Sequence, residues 1–178
     1  DFMKFSGGGI TVTGGEPTLQ AEFVTELFKQ VKAMGLTTVL DTSGFVQIDR
    51  VKELLKVTDL ILLSIKHIDE VKHKEITGVG NKLIHRFIEY LAEQKIPVWI
   101  RYVIIPGWTD DPGDIARLAE YLAQFGNIER VEVLPYHTLG VYKWEQFGEE
   151  YKLKDVLPPT SDEVKKAKEI FQQHGLKT

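Results

Sequence analysis

The stretch VWIRYVIIPGWTDDPGDIARLAEYLAQFG, Val98–Gly126, decides the fold. Its first eight residues, Val98–Ile105, are β-branched or aromatic apart from Arg101, and the turn residues Pro106-Gly107 close them; this predicts a strand. After it, Asp111-Pro112-Gly113-Asp114 carries an aspartate suited to cap a helix and a proline suited to the first helical position. Ile115, Leu118, Ala119 and Leu122 then recur at helical spacing, and Gly126 supplies a stop.

The same unit repeats along the chain. Further strand-like runs are Ile10–Thr13, Thr37–Leu40, Leu60–Ile65 and Val131–Leu134. They lack polar/apolar alternation, so strands buried on both faces are expected. Helical patterns fill the gaps. In Leu19–Met34 the stripe reads Phe23, Leu27, Val31, Met34, and Gly35 ends it. Arg50–Lys56 is a shorter helical segment. In Lys82–Gln94 the stripe is Leu83, Phe87, Ile88 and Leu91, with Asn81 placed to cap it. A last helix starts at Thr160, where Thr160-x-x-Glu163 forms a capping box, and runs through Val164, Ala167 and Ile170 to Gly175. Alternating strands and helices predict an α/β fold with a parallel sheet, either doubly wound or part of a barrel. One domain over 1–178 is expected, with 135–160 as a long loop covering the sheet and 161–175 as the C-terminal helix. Within that loop Tyr142, Trp144, Phe147 and Tyr151 read as a small core pinning it, or as a partner surface.

Composition narrows the function. With 178 residues, 43% hydrophobic and 27% charged, the chain can bury a sizeable core. A formal charge of −4 argues against a general nucleic-acid binder, which carries a basic stripe. No apolar run is long enough for a membrane span, no leader is visible, and a cytoplasmic location is expected. The cysteine count is zero, which excludes disulfides, thiolate nucleophiles and cysteine-held metal centres among these residues.

Parallel α/β folds do their chemistry at the C-terminal ends of the strands. Those ends carry Gly14-Gly15-Glu16-Pro17, then Asp41-Thr42-Ser43-Gly44, then Ser64-Ile65-Lys66-His67, then Arg101 with Pro106-Gly107-Trp108, and finally Pro135-Tyr136-His137. Gly14-Gly15 fits a tight strand exit, or a backbone surface on which a ligand can lie. Glu16 fits a first-turn carboxylate or the partner of a ligand ammonium. Asp41 fits a turn initiator or a cation or ligand partner. Arg101, inside an apolar strand, needs an anionic partner. His137 reads as packed or as ligand-facing. His67, His73, His85 and His174 have no metal-like spacing and read as surface or packing residues. Gly7-Gly8-Gly9 precedes a strand and is no phosphate cradle.

Taken in order, SGGGITVTGGEPTLQ, LDTSGF, TDLILLSIKH, VWIRYVIIPGWTDD, VLPYHTLGVYKW and GEEYKL resemble the pyruvate formate-lyase activating enzymes, glycyl-radical-enzyme activases of the radical S-adenosylmethionine superfamily. The resemblance runs from Phe2 to the C-terminus. It implies a partial (β/α)6 barrel, here without the first βα unit. It implies reductive cleavage of S-adenosylmethionine by a [4Fe–4S] cluster, with the 5′-deoxyadenosyl radical taking a hydrogen atom from a glycine of pyruvate formate-lyase. A reduced electron donor such as flavodoxin is a further implied partner; neither nucleic acid nor membrane is. By resemblance, Gly14, Gly15 and Glu16 hold the methionine amino group, Asp41 and Thr42 help bind a monovalent cation near the carboxylate, Lys66 and Arg101 face the anionic part of the methionine moiety, and His137 contacts the adenosine side. Two departures stand out. The family's Cys-x3-Cys-x2-Cys cluster loop has no counterpart in this chain, so activity is expected only with that segment. Ser64 stands where the family pattern places an aspartate of the cation site, which implies a weaker or altered site. An exposed barrel edge also implies self-association. The alternative function is a non-catalytic module docking onto a glycyl radical enzyme.

Overall fold

A computed structural model describes residues 7–141 and 150–178, with 144, 146 and 148. Five strands form one sheet: β1 (Gly9–Val12), β2 (Thr37–Thr42), β3 (Leu60–Ser64), β4 (Val98–Ile104) and β5 (Ile128–Pro135). All neighbours are parallel, and their order in space is their order in the chain. A doubly wound sheet reverses direction at a switch point. Here every step goes the same way, the winding of a barrel segment. The helices are α1 (Ala21–Ala33), α2 (Lys52–Leu55), α3 (Glu70–Thr77), α4 (Lys82–Glu93), α5 (Pro112–Leu122) and α6 (Ser161–Gln173).

The strands are not buried on both faces. Leu40, Ile61, Leu63, Val98, Ile100, Tyr102, Ile104, Val131 and Val133 are buried in the core with Phe28, Leu54, Phe87, Leu91, Leu118 and Phe171 of the helices. The alternate positions, Val39, Asp41, Leu62, Ser64, Trp99, Arg101, Val103 and Glu132, are only half-buried. The helices cover one face, and the other is left as a half-open surface. The strands look uniformly apolar in sequence because Leu62, Trp99 and Val103 occupy that second face as well.

α1 is rotated from its expected seating. Its buried residues are Val24, Thr25, Phe28 and Val31, while Phe23 is 67% and Met34 56% exposed. Phe23 and Val24 sit about 100° apart on a helix, so two apolar rows compete. A 3₁₀ turn, Pro17–Gln20, feeds the chain into α1, and the Val24 row takes the sheet. α4 buries Ile84 rather than Leu83 beside Phe87, Ile88 and Leu91. Asn81 occupies the cap position without capping; its amide goes to Ile68 O at 2.8 Å. α3, absent from the sequence expectation, buries His73 alone, so no apolar stripe announces it. Asp69 caps it by accepting from Val71 N and Lys72 N, and Gly78 ends it with φ +81°. α5 and α6 follow expectation: Asp111 accepts from Asp114 N at 2.9 Å, and the Thr160–Glu163 capping box is formed. After β5, Tyr136 and Tyr151 share a hydroxyl hydrogen bond of 2.8 Å, and the Trp144 ring lies 5.7 Å from that of Tyr151. Tyr142 and Phe147 lie outside the described residues. Among the described residues, no helix is long and apolar enough to cross a membrane.

Candidate functional site

The strand exits gather at one end of the sheet. Beyond β1, Gly14 and Gly15 adopt φ +91° and +50°, and nothing lies within 4 Å of where a Cβ would stand. Their backbone is bare on that side. Glu16 follows and turns its carboxylate inward. Its Oε1 accepts from Thr18 N, Thr18 Oγ1 and Thr42 Oγ1, and its Oε2 from Ser43 N and Ser43 Oγ. Burial pushes this carboxyl up, but the hydrogen bonds from Ser43, Thr42 and Thr18 outweigh it and hold it below its ordinary value. Glu16 thus caps the 3₁₀ turn and ties the exit of β1 to that of β2.

Strand alternation sends Thr42 toward Glu16 and Asp41 to the half-open face. There Asp41 Oδ2 accepts from Arg101 Nη1 at 2.7 Å and from Thr13 Oγ1 at 2.9 Å. Arg101 Nε lies 3.7 Å from Glu132 Oε2. The anionic partner that Arg101 needs is therefore Asp41 across β3, with Glu132 beside it on β5. Ser64 stands opposite Arg101 in the β3–β4 register. Two residues on, Lys66 continues the same face. Burial, and then the Arg101 charge, push its ammonium pKa down, with Asp41 partly opposing.

The structure thus brings Asp41, Ser64, Lys66 and Arg101 onto one strip, with Gly14-Gly15 at its β1 end. His137 is exposed, directly after the buried Tyr136 beyond β5. The charges interleave, anion-cation-anion across the strands, instead of standing on two sides of a pocket. The Thr42 hydroxyl is engaged with Glu16 and Gly44 N, so only its main chain is left for any cation near Asp41. Among the described residues no three His, Asp or Glu side chains are grouped to hold a metal ion. Glu132 was missed in sequence; its signal is the polar residue between Val131 and Val133, which period two assigns to the open face. Also missed were Thr13, Thr18 and Ser43, whose short side chains complete the carboxylates' hydrogen bonds.

A second polar cluster lies behind the strip. His67, expected as a surface or packing residue, is 1% exposed, and its Nε2 is 3.2 Å from Oδ2 of the buried Asp114. Lys72 and Arg117 both pair with that carboxylate at 2.5 Å.

With respect to bound groups, the strip suits a zwitterion: backbone carbonyls and carboxylates for an ammonium, Lys66 and Arg101 for a carboxylate. It does not suit an iron–sulfur cluster, since no cysteine thiolate exists among the 178 residues.

Comparison with known proteins bears on the same point. The family model described as Radical SAM superfamily matches residues 2–119. Pyruvate formate-lyase 1-activating enzyme of Escherichia coli (strain K12) is 48% identical over 178 residues, 99% of this chain and 72% of that protein. Pyruvate formate-lyase-activating enzyme of Staphylococcus epidermidis (strain ATCC 12228 / FDA PCI 1200) is 47% identical, over 98% of this chain and 72% of that one. A solved domain of pyruvate-formate lyase-activating enzyme from Bacteroides vulgatus ATCC 8482 superposes with a TM-score of 0.80 at 29% identity, covering 96% of both chains. A radical SAM methyltransferase from Sphaerobacter thermophilus, at 16% identity and a TM-score of 0.68, covers 99% of this chain and 52% of its own and shares the fold.

Proposed function

We propose a function from one premise: the chain belongs to the pyruvate formate-lyase activating enzymes of the radical SAM superfamily. Membership brings S-adenosylmethionine and a [4Fe–4S] cluster with it. The chain is the S-adenosylmethionine-binding part of an enzyme that installs a glycyl radical on pyruvate formate-lyase, with a reduced electron donor such as flavodoxin as second partner. The observation that carries this is the strand-end strip, where two cations and two carboxylates line the open face beside a bare glycine backbone. The cluster, when bound, supplies the electron for cofactor cleavage; its ligands are not among these residues, and activity needs a segment that holds it.

What these residues do is bind and orient. The Gly14-Gly15 backbone receives the methionine ammonium, with Glu16 shaping that turn. Lys66, a half-buried cation whose ammonium burial and the Arg101 charge disfavour, gains an anionic partner in the methionine carboxylate, and Arg101 stands next to it. His137 lies against the nucleoside. Asp41, with the main chain of Thr42, holds a monovalent cation near the carboxylate, weakly because Ser64 contributes a hydroxyl and no charge.

Calorimetric titration of this chain with S-adenosylmethionine and with 5′-deoxyadenosine tests the arrangement. Lys66→Met removes a charge-assisted contact of roughly 1.5–3 kcal/mol. It weakens S-adenosylmethionine about ten- to a hundredfold and leaves 5′-deoxyadenosine within about twofold. His137→Ala weakens both. Equal losses for both ligands in Lys66→Met, or no binding of either by the unaltered chain, overturns the reading.

A further inference from the structure

We propose that His67, held by Asp114, is a positioning residue for Lys66: it locks the β3 exit so that the Lys66 ammonium stays on the open face beside Arg101 and Asp41. The proposal deepens the role given to Lys66 above and rests on that reading for its functional meaning.

The argument starts from alternation. Along Ile61, Leu63, Ile65 and His67, every second residue is buried under the helices, and Leu62, Ser64 and Lys66 alternate with them on the open face. A hydrophobe at position 67 would continue the core. A histidine stands there because the chain turns. Asp69 N points back and needs an acceptor, which His67 Nδ1 supplies at 2.9 Å. That bond leaves Nδ1 without a proton, so the neutral ring carries its hydrogen on Nε2. Nε2 lies 3.2 Å from Asp114 Oδ2, off the line of an ideal hydrogen bond but with no other partner. Imidazole offers a lone pair at one end and an N–H at the other: the lone pair accepts from Asp69 N, and the N–H end faces the Asp114 carboxylate as a close electrostatic contact rather than an aligned hydrogen bond.

Asp114 is a buried carboxylate in the first turn of α5, fixed there by Lys72 from α3 and Arg117 from its own helix. Asn81, also buried, closes the third side: its amide donates to Ile68 O at 2.8 Å and approaches His67 O at 3.4 Å. The segment Lys66–Asp69 is therefore held from α4, α5 and the start of α3 at once. Lys66 itself has no ion pair within 4.0 Å among the described residues, so its placement comes from its backbone. This is the physical reason for assigning His67 a positioning role rather than packing alone. A side chain that merely filled volume would need no polar partner at either end, and burying one would cost stability.

The test reads Lys66 directly. In the 178-residue chain with 13C-labelled lysines, a held side chain shows two separate resonances for its Cε protons, and a freely rotating one shows a single shift. Lys66→Arg identifies the signal by removing it. The unaltered chain is expected to show the split pair. His67→Leu, which fills the volume but offers neither polar end, is expected to collapse it to one shift at the position of exposed lysines. Asp114→Asn, a milder change, is expected to reduce the splitting at least twofold. Circular dichroism confirms the fold of each variant, and if His67→Leu does not fold, Asp114→Asn decides. A purely structural role lowers the melting temperature of the variants and leaves the Lys66 pair split. That outcome overturns the proposal, and so does an unsplit signal in the unaltered chain. The readout needs no cofactor, so it stands or falls separately from the S-adenosylmethionine titration.

Discussion

Replacing Glu16 by glutamine is the sharpest test of how this end of the sheet is held. The two carboxylate oxygens divide five donors between them, and one backbone N–H goes to each: Thr18 N to Oε1 at 3.2 Å and Ser43 N to Oε2 at 2.9 Å. Glutamine keeps the shape but has only one oxygen. Whichever way the amide turns, one of these N–H groups faces an NH₂. The three hydroxyls can rotate away; the backbone cannot. A buried donor left unpaired costs about 1–3 kcal/mol, and charge assistance is lost at the remaining bonds. The sum is about 2–4 kcal/mol at neutral pH, which for a domain of this size lowers the melting temperature by about 4–16 °C. The pH dependence gives an independent sign. The Glu16 carboxyl is held below its ordinary 4.5, so its stabilisation is present above 4.5 and is lost as pH falls through the depressed folded value. Denaturant unfolding of both proteins from pH 7 down to pH 3 should show a gap that closes on the acid side. A gap below about 0.5 kcal/mol at pH 7, within the range of an ordinary surface change, or one that stays constant to pH 3, refutes the brace.

The seating of α1 separates two neighbouring phenylalanines. Phe28→Ala, at 0% exposure, should cost about 3–5 kcal/mol in urea unfolding, while Phe23→Ser should stay within about 0.5 kcal/mol; the reverse order would restore the Phe23–Leu27–Met34 stripe. Anaerobic reconstitution of the 178 residues with iron and sulfide should develop no cluster absorbance, since there is no thiolate to hold it; a stoichiometric cluster would mean that other side chains ligate iron here.

The sequence made the strands legible because four of the five β-branched-rich runs are closed by Gly, Pro or Asp, and their exits could be aligned from the parallel rule alone. Doubly wound and barrel winding could not be told apart by spacing; that choice depends on which strands hydrogen-bond. The rotation of α1 was hidden because Phe23 and Val24 offer two apolar rows of similar width. α3 was hidden because its one buried side chain is a histidine. In the site, Arg101 announced its need for an anion, but which carboxylate answers depends on register: Asp41 is sixty residues away and two strands over. His67 and Asp114 are forty-seven residues apart and meet only because α3 and α5 enter at the same end of the sheet. Long-range polar pairing of this kind leaves no periodic trace.

Among the described residues β1 consists of four residues, paired through four register positions with β2 alone, whereas β4 and β5 share seven. So short a one-sided strand opens locally at a free energy well below that of global unfolding. Gly14 and Gly15 hang from it, and the Glu16 tether is what draws them back. A ligand that grips this glycine backbone must first order β1, which subtracts from its affinity. Anything that adds a strand along the edge of β1 that faces away from β2 removes that loss beforehand. Edge pairing and ligand binding at Gly14-Gly15 are thereby thermodynamically linked, each strengthening the other by the same factor.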